Sequence, residues 1–157
     1  MILKITNRGY WSVNMWSRIF GNEKTALVRL NGRVTGDVYV RDILAEQVQP
    51  FLRNLADGIL MHDHASPHRA RVTQEFIQGA GFDVLHWPSV SPDLNPIENV
   101  WAAMKSGLRD RPVAGSSDEL FALLTEMWDS LDALPAISSM RRRLVATIDA
   151  EGGHTKY

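Results

Sequence analysis

The sequence predicts an α/β domain, in which a partly parallel sheet is flanked by helices. Short alternating or continuous apolar runs that are typical of strands occur at 12–20, 25–30, 58–63 and 82–87. Stretches with apolar residues at helical spacing lie between the later runs, and three more follow the last of them. Because strands that alternate with helices need crossover connections, part of the sheet is expected to be parallel.

The composition is that of a globular domain. The 157 residues suit one domain with a sizeable core, and 45% of them are apolar and 22% charged. No run approaches the roughly 18 apolar residues that span a bilayer, so no membrane partner is expected. The lack of cysteine excludes disulfides and thiolate metal sites. A formal net charge of −1 counts against a strong autonomous nucleic-acid binder, although local basic patches can still bind phosphate.

The first predicted elements form a β-hairpin. Residues 12–20 alternate so that Val13 and Met15 share one face of a strand. Residues 21–24 have the composition of a turn, and residues 25–30 are predicted to form the returning strand.

A strand–helix–strand unit is predicted after the hairpin and one intervening helix. The intervening helix covers 37–56, with a kink at Pro50, and a buried strand follows at 58–63. Ser66 is expected to cap the next helix, which ends at a glycine within 79–81.

The second half of the chain is predicted to be mainly helical after the strand at 82–87, which stops at Pro88. Asn95 is expected to start one helix and Ser117 to cap another, and a third follows. The apolar stripes of the three helices comprise Ile97, Val100, Trp101, Met104 and Leu108; Leu120, Phe121, Leu124, Met127, Trp128 and Leu131; and Ile137, Met140, Leu144 and Ile148.

Two acidic residues stand at positions that present a carboxylate. Asp63 ends the strand at 58–63, where it is either a helix N-cap or a ligand at a strand end. Glu98 lies in the first turn of the helix that starts at Asn95, and the two residues fit a capping box in which Glu98 reaches back to a backbone N–H. The alternative is that Asp63 and Glu98 converge to hold divalent cations for phosphoryl transfer.

The sequence around both acids favours the second interpretation. The first motif is Asp63-His64-Ala65-Ser66-Pro67-His68, and the second reads Ser-Pro-Asp-Leu-Asn-Pro-Ile-Glu-Asn-Val-Trp from Ser91 to Trp101. Together they resemble the catalytic core of mariner-superfamily cut-and-paste DNA transposases, in which one strand–helix–strand unit separates the two motifs. Similarity extends to the end of the chain and, more weakly, back to about Ser12. His64 departs from the family motif, which usually carries Asn there.

The resemblance implies a ribonuclease-H-like fold in which three acidic residues bind two Mg²⁺ or Mn²⁺ ions. Asp63 matches the second acid and Glu98 the third. DNA, specifically transposon ends, is the implied partner, and a homo-oligomer is implied as the assembled state. The whole chain, 1–157, is interpreted as one partial catalytic domain, with an atypical segment at 1–11 and a tail at 150–157. Localisation follows the host: the nucleus in a eukaryote, otherwise the cytoplasm.

The first acid of the family triad has no counterpart in the printed chain. In the family it lies on a central strand before the hairpin, whereas no Asp or Glu precedes Glu23 here. We therefore expect the polypeptide alone to bind Mg²⁺ or Mn²⁺ more weakly than the complete triad would and to lack transposase activity. Met1 to Thr6 have enough apolar and β-branched character to pair as a substitute strand. A non-catalytic nucleic-acid-binding or assembly module derived from a transposase is the alternative function.

Several basic residues are candidates for contacts with nucleic acid. Lys105 lies two turns after Glu98 on nearly the same helix face and can meet a DNA phosphate, or it is an ordinary surface lysine. Arg141, Arg142 and Arg143 form a block that is either a phosphate-binding cluster or a solvated helix face.

A metal site built from histidines is a further alternative. His62, Asp63, His64 and His68 could contribute to a zinc or manganese site. On a strand, however, His62 and His64 would lie on the face opposite Asp63. Trp87, Trp101 and Trp128 are interpreted as core residues.

Overall fold

The computed structural model describes residues 1–8, 10–21, 23–86, 91 and 94–151. Two compact units are present: unit 1 contains residues 1–29 and 91–157, and unit 2 contains residues 30–90. Strands and helices occur in both units, which confirms the predicted α/β class. Among the described residues, no helix is both long and apolar enough to cross a bilayer.

The strands are short, and the helices carry most of the regular structure. The strands are β1 (Ile2–Asn7), β2 (Trp11–Trp16), β3 (Ile19–Phe20), β4 (Glu23–Lys24), β5 (Val28–Leu30), β6 (Ile59–Leu60) and β7 (Asp83–Val84). The helices are α1 (Gly36–Val38), a π-helical segment (Tyr39–Val48), α2 (Gln49–Leu52), α3 (Ser66–Arg69), α4 (Arg71–Ala80), α5 (Pro96–Leu108), α6 (Ser117–Ser130), α7 (Leu134–Ser138) and α8 (Met140–Asp149).

Unit 1 is built on a sheet in which β2 lies between β1 and β5, and β1 and β2 pair antiparallel. The register pairs Leu3 with Met15 and Ile5 with Val13, and all four side chains are buried on the core face. The prediction that residues 1–6 pair as a strand is therefore confirmed. The predicted hairpin is also present, with β3 and β4 pairing antiparallel across its turn.

Helices α5 and α6 bury their predicted apolar stripes in the core of unit 1. The five stripe residues of α5 are all buried, and on α6 only Phe121 and Leu131 of the six are partly exposed. The rings of Trp101 and Trp128, both fully buried, lie 4.7 Å apart between centroids. Helix α6 is capped one residue earlier than predicted, because the Ser116 hydroxyl accepts the Glu119 N–H at 3.1 Å.

The predicted apolar stripe of the last helix holds only at its start, where Ile137 packs against the core of unit 1. The segment is divided into α7 and α8, and on α8 Leu144 is 47% and Ile148 73% exposed. The buried side chain of α8 is Arg143, which is 2% exposed. Arg143 takes the inward position because its guanidinium donates hydrogen bonds to the side chains of Asn99 and Ser139.

The first helix of unit 2 ends at Leu52, four residues before the predicted end. Its middle is the π-helical segment, which ends where the Gln49 N–H donates to the Leu44 carbonyl five residues back. Pro50 follows directly in the first turn of α2. At the other end, a Cβ added to Gly36 would lie 2.4 Å from the Ala70 Cβ, so glycine permits the close approach of α1 to the start of α4.

The strand–helix–strand unit is present but shorter than predicted. Strands β6 and β7 are parallel, with Ile59 opposite Asp83, as expected for a crossover connection. The helix between them is interrupted at Ala70, whose ψ of 143° separates α3 from α4. Gly81, with φ of +70°, closes α4 in a left-handed conformation. Trp87 and Pro88 lie outside the described residues, as does most of the tail.

Candidate functional site

Asp63 lies in the irregular segment directly after β6 and forms a local turn with its own backbone. Its Oδ1 accepts the Ala65 N–H at 3.0 Å, which fixes the carboxylate three residues before the first residue of α3. The N-cap of α3 is Ala65, and no side chain caps that helix. The interpretation of Asp63 as a helix N-cap is therefore wrong, because the side chain stabilises the turn that precedes the cap.

His68 holds the same carboxylate from the opposite direction. Its Nδ1 lies 2.6 Å from the Asp63 Oδ1 and 3.0 Å from the Asp63 carbonyl oxygen. The imidazole is 1% exposed and stacks on His62 at 4.8 Å between centroids, with the Tyr39 ring 4.4 Å away on the helical segment. Both contacts to the carboxylate fall on Oδ1, and the Asp63 side chain remains 39% exposed.

The surroundings favour the ionised form of Asp63 and the neutral forms of His62 and Tyr39. Burial alone would raise the pKa of Asp63, but the hydrogen bonds from His68 and from the Ala65 amide lower it to about 2. Burial, followed by the neighbouring His68 ring, lowers the pKa of His62 to about 4. Burial also raises the pKa of Tyr39, whose hydroxyl lies 3.3 Å from the His62 Nδ1.

A cleft of about 360 Å³ opens onto this carboxylate within unit 2. Asp63, His64 and Arg69 contribute to its wall, together with residues after β7. Within the ranges that the structure describes, no three His, Cys, Asp or Glu residues are grouped so as to hold a metal ion. The histidine-based metal site is therefore wrong for this arrangement, and His68 uses its Nδ1 to hold Asp63 instead.

Glu98 lies in the first turn of α5, as predicted, and belongs to unit 1. Its backbone N–H donates to the Asn95 carbonyl at 3.1 Å, and its side chain is partly buried. Asn95 occupies the N-cap position, but its side chain makes no capping bond and its buried Oδ1 has no partner among the described residues. The Asn95 half of the predicted capping box is therefore absent. Because Asp63 belongs to unit 2, the convergence of the two carboxylates stays a prediction.

Arg143 has a structural role that the sequence did not predict. Its Nη1 donates to the Asn99 Oδ1 at 2.8 Å, and its Nε donates to the Ser139 hydroxyl at 2.8 Å. The first contact ties α8 to the turn of α5 that carries Glu98. The interpretation of Arg143 as a nucleic-acid contact or as part of a solvated face is corrected accordingly, because its guanidinium is buried against protein groups.

The remaining basic candidates are accessible. Lys105, Arg141 and Arg142 are all exposed, the first on α5 and the other two on α8. Their role in binding nucleic acid stays a prediction. Pro92 and Asp93 of the second motif lie outside the described residues.

The fold is shared with solved transposase catalytic domains. The catalytic domain of Mos1 transposase, solved with Mn and raltegravir, matches with a TM-score of 0.82 at 17% identity over 99% of this chain and 82% of that one. A Mos1 paired-end complex with the left transposon end matches with a TM-score of 0.79 at 19% identity, over 96% of this chain and 46% of that one. These matches confirm the predicted ribonuclease-H-like fold.

Family membership follows from the sequence comparisons. The family described as DDE superfamily endonuclease matches residues 3–120, and the chain belongs to it. The Tcb2 transposase of Caenorhabditis briggsae is 30% identical over 160 residues, which cover 99% of this chain and 58% of that protein. The chain thus spans a little over half the length of this curated relative. The predicted relation to the mariner superfamily of transposases is confirmed.

Proposed function

We propose that this chain is the catalytic-domain part of a cut-and-paste DNA transposase, in which Asp63 and Glu98 hold Mg²⁺ or Mn²⁺. The observation that carries the proposal is the Asp63 carboxylate, which is ionised, fixed through one oxygen and directed to a cleft at a strand end. DNA, and transposon ends in particular, would be the substrate, and a homo-oligomer would be the assembled form. The solved Mos1 paired-end complex with the left transposon end supports the DNA part of the proposal.

The donor chemistry of this site fits a hard divalent cation. Mg²⁺ and Mn²⁺ prefer oxygen ligands, and an ionised carboxylate is the ligand that these ions take most readily. Asp63 reaches that state because two N–H donors hold Oδ1. When bound, the ion would neutralise charge on the phosphate that is attacked. His68 and the Ala65 amide would keep the carboxylate oriented, as partners behind a metal ligand do elsewhere.

We expect the 157-residue polypeptide by itself not to cleave DNA. A two-metal site needs several carboxylates, and no Asp or Glu precedes Glu23 where the first acid of the family lies. Supercoiled plasmid incubated with the purified chain in Mg²⁺ or Mn²⁺ should be nicked no faster than with Asp63→Ala. Robust metal-dependent nicking that Asp63→Ala abolishes would refute the expectation of inactivity, although it would support the site.

Convergence of the two carboxylates can be tested with paramagnetic Mn²⁺. If both bind one ion, the NMR signals of backbone amides around Asp63 and around Glu98 will broaden at the same low Mn²⁺ concentration. Asp63→Asn should then remove the broadening at both places, because a neutral amide is a weak ligand for this ion. Asp83→Asn, which removes an exposed carboxylate from β7, serves as the control. It should leave the broadening around Asp63 and around Glu98 unchanged.

Two outcomes of the Mn²⁺ experiment would contradict the proposal. The signals around Glu98 could stay sharp while those around Asp63 broaden, which would mean that the acids do not share an ion. Alternatively, broadening around Glu98 could survive Asp63→Asn, which would mean that Glu98 binds Mn²⁺ independently.

A further inference from the structure

Unit 1 contains a second cleft, which is basic and lies between β1 and α5. Its volume is about 390 Å³, and four cationic side chains stand around it: Lys4, Arg8, Lys105 and Arg109. All four are exposed, and no Asp or Glu is among the described residues that line the cleft. The cleft therefore concentrates positive charge in a protein whose formal net charge is −1.

The positions of these cations follow from the two-residue periodicity of a strand and the four-residue spacing of a helix. On β1, Lys4 points away from the core because its neighbours Leu3 and Ile5 are buried on the other face. On α5, Lys105 and Arg109 are four residues apart and share one side of the helix end. The strand and the helix thus contribute separate cations to the same cleft.

These four cations are not used in ion pairs. Within the described part of the chain, none of them lies within 4 Å of a carboxylate oxygen, whereas Arg29, Arg71 and Arg111 are each paired with an acid. Arg8 instead donates to the Arg109 carbonyl at 3.3 Å, which joins the two walls of the cleft. Unneutralised cations from two elements around one cleft concentrate the positive charge that attracts a polyanion.

A buried amide in the same cleft also lacks a partner. Asn7 ends β1, lines the cleft and is 3% exposed, and its Nδ2 donates to no described residue. Buried side-chain donors are hydrogen-bonded in most proteins, so this amide is available to an acceptor that enters the cleft. A phosphate oxygen would accept this hydrogen bond and would also neutralise the surrounding charge.

We infer that this cleft binds the phosphodiester backbone of nucleic acid. The identity of the ligand rests on the proposed function, since cations alone attract carboxylates as well as phosphates. Lys105, already a candidate contact by sequence, becomes one member of a site formed with Lys4, Arg8 and Arg109. These contacts position the nucleic acid without reading its sequence, because they meet the backbone and not the base edges.

The inference is tested by fluorescence anisotropy with a short labelled DNA duplex in the presence of EDTA. The double variant Lys105→Ser/Arg109→Ser should bind roughly tenfold more weakly than the unmodified chain. The slope of log affinity against log salt should also become shallower by about 2, because the variant loses two phosphate contacts and its binding therefore releases fewer counterions. Both substituted residues are exposed, and circular dichroism checks that the variant is folded.

A matched control distinguishes an effect of the cleft residues from an effect of the net charge of the protein. Arg33→Ser/Arg53→Ser removes two exposed cations from unit 2 and changes the net charge equally. The inference is overturned if this control weakens binding as much as the cleft variant does, or if an acidic peptide such as polyglutamate displaces the duplex as well as unlabelled DNA does.

The test also distinguishes this inference from the proposed function. Because EDTA removes divalent ions, the anisotropy result does not depend on Asp63 or Glu98. A cleft variant that binds normally, together with shared Mn²⁺ broadening, overturns the inference alone. Cleft-dependent binding without shared broadening overturns the metal site alone.

Discussion

The Trp128→Ala variant is expected to lose about 3–5 kcal/mol of unfolding free energy, a large share of what a domain of this size has. Trp128 is fully buried, and its ring lies 4.7 Å from that of Trp101 where α6 meets α5. Its Nε1–H also donates to the Thr25 carbonyl at 2.8 Å, which ties α6 to the hairpin. Urea denaturation followed by far-ultraviolet circular dichroism measures the loss without depending on tryptophan fluorescence.

Two further variants separate packing from hydrogen bonding at Trp128. Trp128→Phe keeps an aromatic ring but loses the N–H, and it should cost only about 1–2 kcal/mol, because the Ser17 hydroxyl still donates to the Thr25 carbonyl at 3.0 Å. Leu144→Ala, on the exposed face of α8, should change stability by less than about 0.5 kcal/mol. Equal losses for Trp128→Phe and Trp128→Ala would contradict the account, since packing would then contribute little.

The core of unit 1 was predictable because each element repeats a simple pattern. The stripe from Ile97 to Leu108 is spaced at three and four residues, and the whole of it is buried as predicted. Residues Val13 and Met15 alternate on β2 and are likewise buried. In both cases the hydrophobic effect acts on a periodicity that is visible in one segment alone.

The orientation of α8 was not predictable from its own sequence. Its apolar residues at 144 and 148 have helical spacing, yet the buried side chain is Arg143. The reason lies 44 residues earlier, where the Asn99 Oδ1 accepts from the guanidinium. A hydrogen bond between distant segments can determine which face of a helix is buried. Periodicity within the helix does not reveal such a bond.

The sequence motifs identified Asp63 and Glu98 as candidate metal ligands, and that role stays a prediction. The structure places Asp63 three residues after β6 and Glu98 in the first turn of α5, whereas the contacts that hold the Asp63 carboxylate were not predictable. The contact from His68 to Asp63 joins two residues on either side of the turn at Ala65. That turn is a backbone conformation without a sequence periodicity, so the motifs do not reveal that this histidine contacts the carboxylate.

His68→Ala is expected to release the Asp63 carboxylate and to destabilise unit 2 by about 1.5–3 kcal/mol near neutral pH, the range for a hydrogen bond to a charged group. The pKa of Asp63 should rise from about 2 towards its ordinary value near 3.8. Because the folded-state pKa is the lowered one, this contribution is present above the ordinary value and disappears as the pH falls through about 2. Carbon NMR of the Asp63 carboxyl group and urea denaturation at several pH values measure both effects.

His68→Asn is the control that separates a positioning role from simple packing. The Asn side-chain amide can donate from nearly the position of the histidine Nδ1, which lies 2.6 Å from the Asp63 Oδ1. It should therefore keep the pKa of Asp63 low although it loses the stack on His62. If the proposed metal site is correct, Mn²⁺ affinity should fall by about 10–100-fold in His68→Ala and be largely restored in His68→Asn. Equal pKa values of Asp63 in the two variants would show that His68 only fills space, because a positioning contact must distinguish a side chain that donates from one that does not.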